Sequence, residues 1–173
     1  MKKFAFIFAR GGSTGLKNKN LKVFFGKPLV ERTIIQAKAS NLFDQIILSS
    51  DNKEIISYGK KHKIICINRP KKLASKNSPE INSWIHAINY LKINNFLFDL
   101  MIILPCTSPL RIINDIKKSI TAKNNKIDLV TTITKSKYHP LLNIFKKDKD
   151  GHIISLNKVF NKKRMKQRQS LSN

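Results

Sequence analysis

The sequence predicts an α/β fold: a mainly parallel sheet with helices on both of its faces. Short, continuously apolar runs recur along the chain, as in strands buried on both sides. Between them lie longer segments whose apolar residues repeat with helical spacing, and strands alternating with helices at this pace mean βαβ units. The first apolar run also opens directly into a glycine-rich, cation-bearing loop, at the strand end where open α/β sheets bind ligands.

Residues 4–9 are continuously apolar and make the first strand. In the loop that follows, Gly11, Gly12 and Gly15 allow turns and close backbone approach that a Cβ would forbid. Its exposed amides form a concave anion site, and Arg10, Lys17 and Lys19 add fixed positive charge. A triphosphate suits such a loop. The spacing is neither a P-loop nor a full G-x-G-x-x-G, so a plain strand-to-loop turn with solvated lysines stands beside phosphate binding as a reading of these residues alone.

Pro28 suits a first helical position, and Leu29, Val30, Thr33, Ile34 and Ala37 give the next helix an apolar face to about Ser40. Residues 46–50 form a second strand. Asp51 is then expected to cap a helix in preference to acting as a ligand, with Glu54 at the capping-box position and Ile55, Ile56 and Tyr58 facing inward. Residues 64–67 are a third strand, ending at Arg69-Pro70. Ser78 as cap and Pro79 at the first helical position open a helix with the stripe Ile81, Trp84, Ile85, Ile88 and Leu91, which makes Trp84 a core residue. Glu80 and His86 fall near the expected pocket, the histidine in a structural role.

Residues 100–104 form a fourth strand that runs into the loop 105–111, and an amphipathic helix continues to about Lys123. Residues 129–133 read as a fifth strand. From Tyr138 the pattern changes to short apolar pieces around Asp148-Lys-Asp-Gly151, a hairpin turn, and ends in the basic run 161–168.

At 173 residues and 41% hydrophobic content the chain is long enough for one domain with its own core. The first apolar run is too short to span a bilayer and lacks a small-residue cleavage site, which predicts a cytoplasmic protein without membrane association. Cys66 and Cys106 lack metal-ligand spacing and read as buried small hydrophobes. A net charge of +24 would ordinarily point to nucleic acid. Here lysines are spread over every segment with no arginine–aromatic cluster, so the expected partners exclude specific nucleic acid. A basic nucleic-acid-associated protein is the third-ranked reading.

Taken in order, Arg10-Gly-Gly-Ser-x-Gly15 with Lys19-Asn20, Gly26-Lys-Pro-Leu29, Ser49-Ser-Asp51, Arg69-Pro70 with Leu73-Ala74, Thr107-Ser-Pro-Leu-Arg111 and Arg168-Gln169 resemble the acylneuraminate cytidylyltransferases, the CMP-sialic acid synthetases and relatives acting on similar nonulosonic acids. The resemblance covers essentially the whole chain. It implies a Rossmann-like nucleotide-diphospho-sugar transferase fold over a single domain, 1–173, with 138–160 a hairpin that helps pair two subunits. The implied activity is transfer of CMP from CTP to a sialic-acid-like nonulosonic acid with release of pyrophosphate, and the implied partners are those two substrates and a second subunit.

By the same resemblance Arg10 and Lys19 are the catalytic cations. The nucleotide is expected on Arg10, Gly11, Gly12, Ser13, Lys19, Asn20 and Arg69, and the sugar acid on Thr107, Ser108 and Arg111. For Arg111 a loop-bracing role is left open beside a bidentate grip on the sugar carboxylate. The family often has Lys where this chain has Thr14, which leaves one phosphate-facing charge missing unless Lys17 substitutes, and Leu-Gln-Pro where this chain has Leu104-Pro-Cys106. Mg²⁺ is expected from the family, held there by an aspartate pair in a C-terminal stretch with no counterpart in this sequence. No metal ligand is assigned here, and Asp99, Asp128, Asp148 and Asp150 fall at the wrong places. A truncated or split homologue that binds nucleotide without catalysis is therefore the second-ranked reading.

Overall fold

The computed structural model describes residues 1–13, 15–133, 145–147, 149–151 and 153–155. The expectations at Thr14, at Tyr138 and Asp148, and over the basic run with Arg168-Gln169 lie outside the described residues. The chain divides into two compact units, Met1–Val130 and Thr131–Asn173.

The first unit is built on β1 (Lys3–Phe8), the short antiparallel pair β2 (Val23–Phe24) and β3 (Lys27–Pro28), α1 (Leu29–Ser40), β4 (Gln45–Ser50), α2 (Lys53–Lys61), β5 (Ile65–Asn68), α3 (Glu80–Ile93), β6 (Leu100–Ile103) and α4 (Ile113–Ala122). Strands β5, β4, β1 and β6 lie side by side in that order and every pairing is parallel, with Phe6 opposite Ile47 on one side and Ile103 on the other. The apolar run of β1 is central, so its side chains are buried on both faces. Ala5 and Ile7 pack with Val30 and Ile34 of α1, Ile55 of α2 and Ile116 of α4. Phe4 and Phe6 turn the other way and pack with Ile47, Ile67 and, on α3, Ala87 and Leu91.

The α2 contact depends on Gly59, because a Cβ there would run into Cys66 Sγ and Leu48 Cδ2 and push the helix off the sheet. Local sequence sets the helix ends. Asn41, in the left-handed conformation at φ 52, stops α1. Asp115 accepts the Ile112 amide at 3.0 Å and fixes the start of α4.

Several expectations are corrected. The cap of α2 is Asn52, whose side chain accepts the Ile55 amide at 3.1 Å, so Asp51 is not the cap and Glu54 is not in a capping box with it. Pro28 and Pro79 precede α1 and α3 at the cap position instead of starting them, and Ser78 makes no cap bond to α3. The α3 stripe is rotated. Ser83, Ala87 and Leu91 are buried, while Ile81, Ile85 and Ile88 lie exposed on the outer side, Ile85 at 49%.

Residues 129–133 form no strand and Leu129 is 80% exposed. β-branched composition alone does not make a strand, since it needs a neighbouring ladder to satisfy its backbone. Of the second unit, β7 (Phe145–Lys147) and β8 (Ile153–Ser155) pair antiparallel with Phe145 opposite Ser155, the hairpin expected around Gly151. Among the described residues no helix is long and apolar enough to cross a membrane.

Candidate active site

The parallel sheet brings the carboxyl ends of β1, β4, β5 and β6 to one edge, and a cleft of about 510 Å³ opens there. Arg10, Ser13, Lys19 and Asn20 line it from the loop after β1. Arg69 follows β5, Pro105, Cys106 and Thr107 follow β6, and Ser75, Ser78, Glu80 and Ser83 come from the loop before α3 and its first turns. Charge and glycine content pick out the loop after β1, and the motifs of the family resemblance pick out Arg69 and Thr107. On the wall before α3 Glu80 was expected near the pocket, but Ser75, Ser78 and Ser83 were missed as lining residues, because isolated serines carry no pattern that separates them from solvated turns.

The glycine loop is held by Asp51 from the end of β4 and by its own Asn20. Gly11 donates its amide to Asp51 Oδ1 at 2.9 Å, and Asn20 Nδ2 donates to the Arg10 carbonyl at the same distance. A Cβ on Gly11 would meet the Asn52 side chain at 2.8 Å, so close approach to the α2 cap requires glycine. Gly12 and Gly15 have open space around them, and none of the three adopts positive φ. The close-approach argument therefore holds for Gly11 and fails for the other two. Arg10 reaches across the cleft mouth, Nη1 donating to the Ser75 carbonyl at 3.3 Å.

Arg69 sits deeper, 7% exposed. Its Nη1 donates to Ser83 Oγ at 2.8 Å and its Nη2 to the Ser49 carbonyl at 3.5 Å, while Nε has no partner among the described residues. Burial pulls its guanidinium below the ordinary arginine value, Asp51 pulls it back up, and Arg10 adds to the depression. Even so the group stays charged. A buried cation with neutral partners, facing a cleft that already carries Arg10 and Lys19, calls for an anion.

Cys106 lines the same cleft, and burial pushes its thiol up to about 11 against the opposing effects of Thr33, Arg111 and Lys19. His86 is shifted down by burial first and by Arg69 second, which favours its neutral form. The remaining predicted residues are placed differently. Gly11 and Gly12 belong to the loop without forming the cleft wall, and Ser108 and Arg111 lie past it in the loop after β6. There Arg111 Nη2 donates to the Pro105 carbonyl and its own carbonyl accepts from Gln36 Nε2 at 2.7 Å, the bracing geometry.

Among the described residues no group of three or more His, Cys, Asp and Glu side chains could hold a metal ion. The cleft wall carries one carboxylate, Glu80, and Asp51 already accepts the Gly11 amide. Asp44 and Asp99 accept backbone amides of Lys3 and Lys2 at the opposite edge of the sheet. These residues do not fit a protein-built Mg²⁺ site.

Residues 4–140 match the family model described as Cytidylyltransferase. A pseudaminic acid cytidylyltransferase of Campylobacter jejuni is 37% identical over 123 residues, covering 69% of this chain and 52% of that protein. A CMP-N,N'-diacetyllegionaminic acid synthase of Legionella pneumophila is 33% identical over 115 residues, covering 64% of this chain and 48% of that protein. The chain thus spans about half the length of these curated relatives. Among solved structures, a CMP:2-keto-3-deoxy-manno-octonic acid synthetase complexed with CTP superposes with a TM-score of 0.57 at 16% identity, over 70% of this chain and 47% of that one. That likeness is one of fold, and the Rossmann-like nucleotidyltransferase architecture expected from the sequence is the one observed.

Proposed function

The chain belongs to the cytidylyltransferase family, and from that premise we propose that it serves the transfer of CMP from CTP to a sialic-acid-like nonulosonic acid, with release of pyrophosphate. The observation that carries this reading is Arg69, buried with only neutral partners and turned to a cleft that also holds Arg10 and Lys19. Three cations around one cleft suit a triphosphate better than a neutral ligand. The relatives' names point to nonulosonic acids as acceptors.

In this reaction the sugar's anomeric hydroxyl forms a bond to the α-phosphorus as the bond to pyrophosphate breaks. The work of the protein is to hold the chain of phosphates in line and to stabilise charge on its oxygens. Arg10 and Lys19 are the groups assigned to the transferring and leaving phosphates, with Ser13 and the Gly11 and Gly12 amides cradling them. Asn20 fixes the loop through the Arg10 carbonyl, and Arg69 supplies charge from the cleft floor. Thr107, at the cleft, and Ser108 and Arg111, beyond it, are assigned to the sugar acid, Arg111 acting through the loop it braces. The reading takes 1–173 as one domain in a cytoplasmic homodimer. Mg²⁺, if it serves here as in the family, would neutralise phosphate charge when bound.

A second reading is favoured by the shortage of carboxylates at the cleft among the described residues: the chain binds CTP but turns over little by itself. Pyrophosphate release, measured with CTP, Mg²⁺ and a panel of nonulosonic acids, separates the two. Turnover at about 1 per second or faster establishes synthesis by this chain alone. In calorimetric titrations Arg10→Ala and Lys19→Ala should each weaken CTP binding by about 1–3 kcal/mol, and unchanged affinity in both would remove them from the site. CTP should raise the melting temperature more than ATP does, and equal shifts would refute a cytidylyl site.

A further inference from the structure

We infer that Ser83 is the positioning residue that aims Arg69 into the cleft, so that one hydroxyl on the inner face of α3 sets nucleotide affinity. The inference rests on the reading of Arg69 as a nucleotide-holding group. Ser83 is 1% exposed and occupies an inner-face position of α3, in line with Ala87 and Leu91. The helix turns a serine to the sheet while Ile81 and Ile85 of the adjacent turns face outward, an arrangement that forgoes apolar burial.

The hydrogen bonds account for that choice. Ser83 Oγ accepts from Arg69 Nη1 at 2.8 Å and donates to the Leu73 carbonyl at 3.3 Å. A hydroxyl has one proton, and with it committed to Leu73 the lone pairs are left for the guanidinium. The other acceptor of Arg69, the Ser49 carbonyl, is at 3.5 Å, the long end for such a bond. Ser83 therefore makes the short side-chain contact that fixes the guanidinium rotamer.

Its neutrality matters as much as its place. A carboxylate at this position would hold Arg69 more tightly but cancel its charge, and the cleft would lose a cation. Asp51 and Glu80 act on Arg69 through their fields, and neither forms an ion pair with it among the described residues. A long side chain held by a neutral acceptor keeps its charge for the ligand, with its conformational entropy already lost before binding. The same hydroxyl ties Arg69 to Leu73, so two lining residues of one wall are set together.

A double-mutant cycle read by calorimetric titration of CTP with Mg²⁺ tests this on the full chain. Ser83→Ala should weaken CTP binding roughly five- to tenfold, Arg69→Met more, and the double variant no more than Arg69→Met alone. Ser83→Cys, close in size but a weak acceptor, should reproduce the loss and guards against a packing defect in the alanine variant. Unchanged affinity in Ser83→Ala and Ser83→Cys overturns the inference. So does a Ser83→Ala loss of equal size in the Arg69→Met background, since it marks a general structural effect. If Arg69→Met itself binds CTP like the wild type, the reading of Arg69 fails and the inference falls with it; if Arg69→Met is weakened and the serine variants are not, only the inference falls.

Discussion

The Gly11 amide donates to the Asp51 carboxylate over 2.9 Å, joining the loop after β1 to the end of β4 across 40 positions of sequence. The contact holds open the loop that carries Arg10 and Ser13, and its acceptor is charged, which makes it stronger than a neutral bond. Asp51→Ala leaves the half-buried amide without this partner and should cost about 1–2 kcal/mol in stability. CTP affinity should fall as well. Denaturant melts together with calorimetric titration check both, and an unchanged melt would mean water replaces the carboxylate at no cost.

Much of this architecture was legible in the chain. The runs at 4–9, 46–50, 64–67 and 100–104 are apolar without alternation, which only a doubly covered sheet tolerates, and all four pair as expected. The faces and caps were less legible. Asp51 and Asn52 are adjacent residues with equal capping ability, and only the fold decides that Asn52 caps α2 while Asp51 reaches Gly11. On α3 the isoleucines marked the wrong side, because Arg69 brings a serine to the sheet and no periodicity anticipates a buried cation. The stretch 129–133 reads as strand by composition and is exposed chain in the fold.

The glycines of the loop should separate by mutation. A Cβ at Gly11 meets Asn52 Cβ at 2.8 Å and Nδ2 at 2.9 Å, at the residue that caps α2, so Gly11→Ala should cost about 1–3 kcal/mol. Gly12 has nothing within 4 Å and does not sit at positive φ, so Gly12→Ala should be within about 0.5 kcal/mol of the wild type in stability. Thermal melts without ligand compare them, and equal losses would contradict the geometry.

Glu31 gives the fold an acid-sensitive joint between α1 and the end of α2. Its buried carboxylate accepts from Lys61 Nζ at 2.9 Å and lies 3.0 Å from His62 Nε2. The Lys61 hydrogen bond holds the carboxyl below its ordinary value, burial opposes this, and His62 and the charges of Lys61 and Lys27 add to the lowering. With the folded-state value depressed, the contribution is present above the unfolded carboxylate value and is lost as pH falls through the folded one. Glu31→Gln should flatten the acid limb of the stability profile. Parallel acid limbs in wild type and variant would show that other carboxylates set it.

Cys106 should shape the opposite limb. The thiol lies on the cleft wall yet is almost fully buried, and that burial raises it to about 11. Cys66 is raised by burial as well, while Lys60 acts to lower it. A folded-state value above the unfolded one means the stabilising contribution is whole below the unfolded thiol value and is lost as pH rises toward the folded value. Cys106→Ala should therefore reduce the alkaline loss of stability, with urea midpoints at stepped pH as the measure. The same burial keeps the thiol protonated at pH 8, and the thiolate is the nucleophile, so iodoacetamide should label Cys106 far more slowly in the folded chain than in urea. Labelling at the unfolded rate, followed by mass spectrometry of the Cys106 peptide, would mean that the cleft admits solvent to the sulfur and that burial does not hold the thiol protonated.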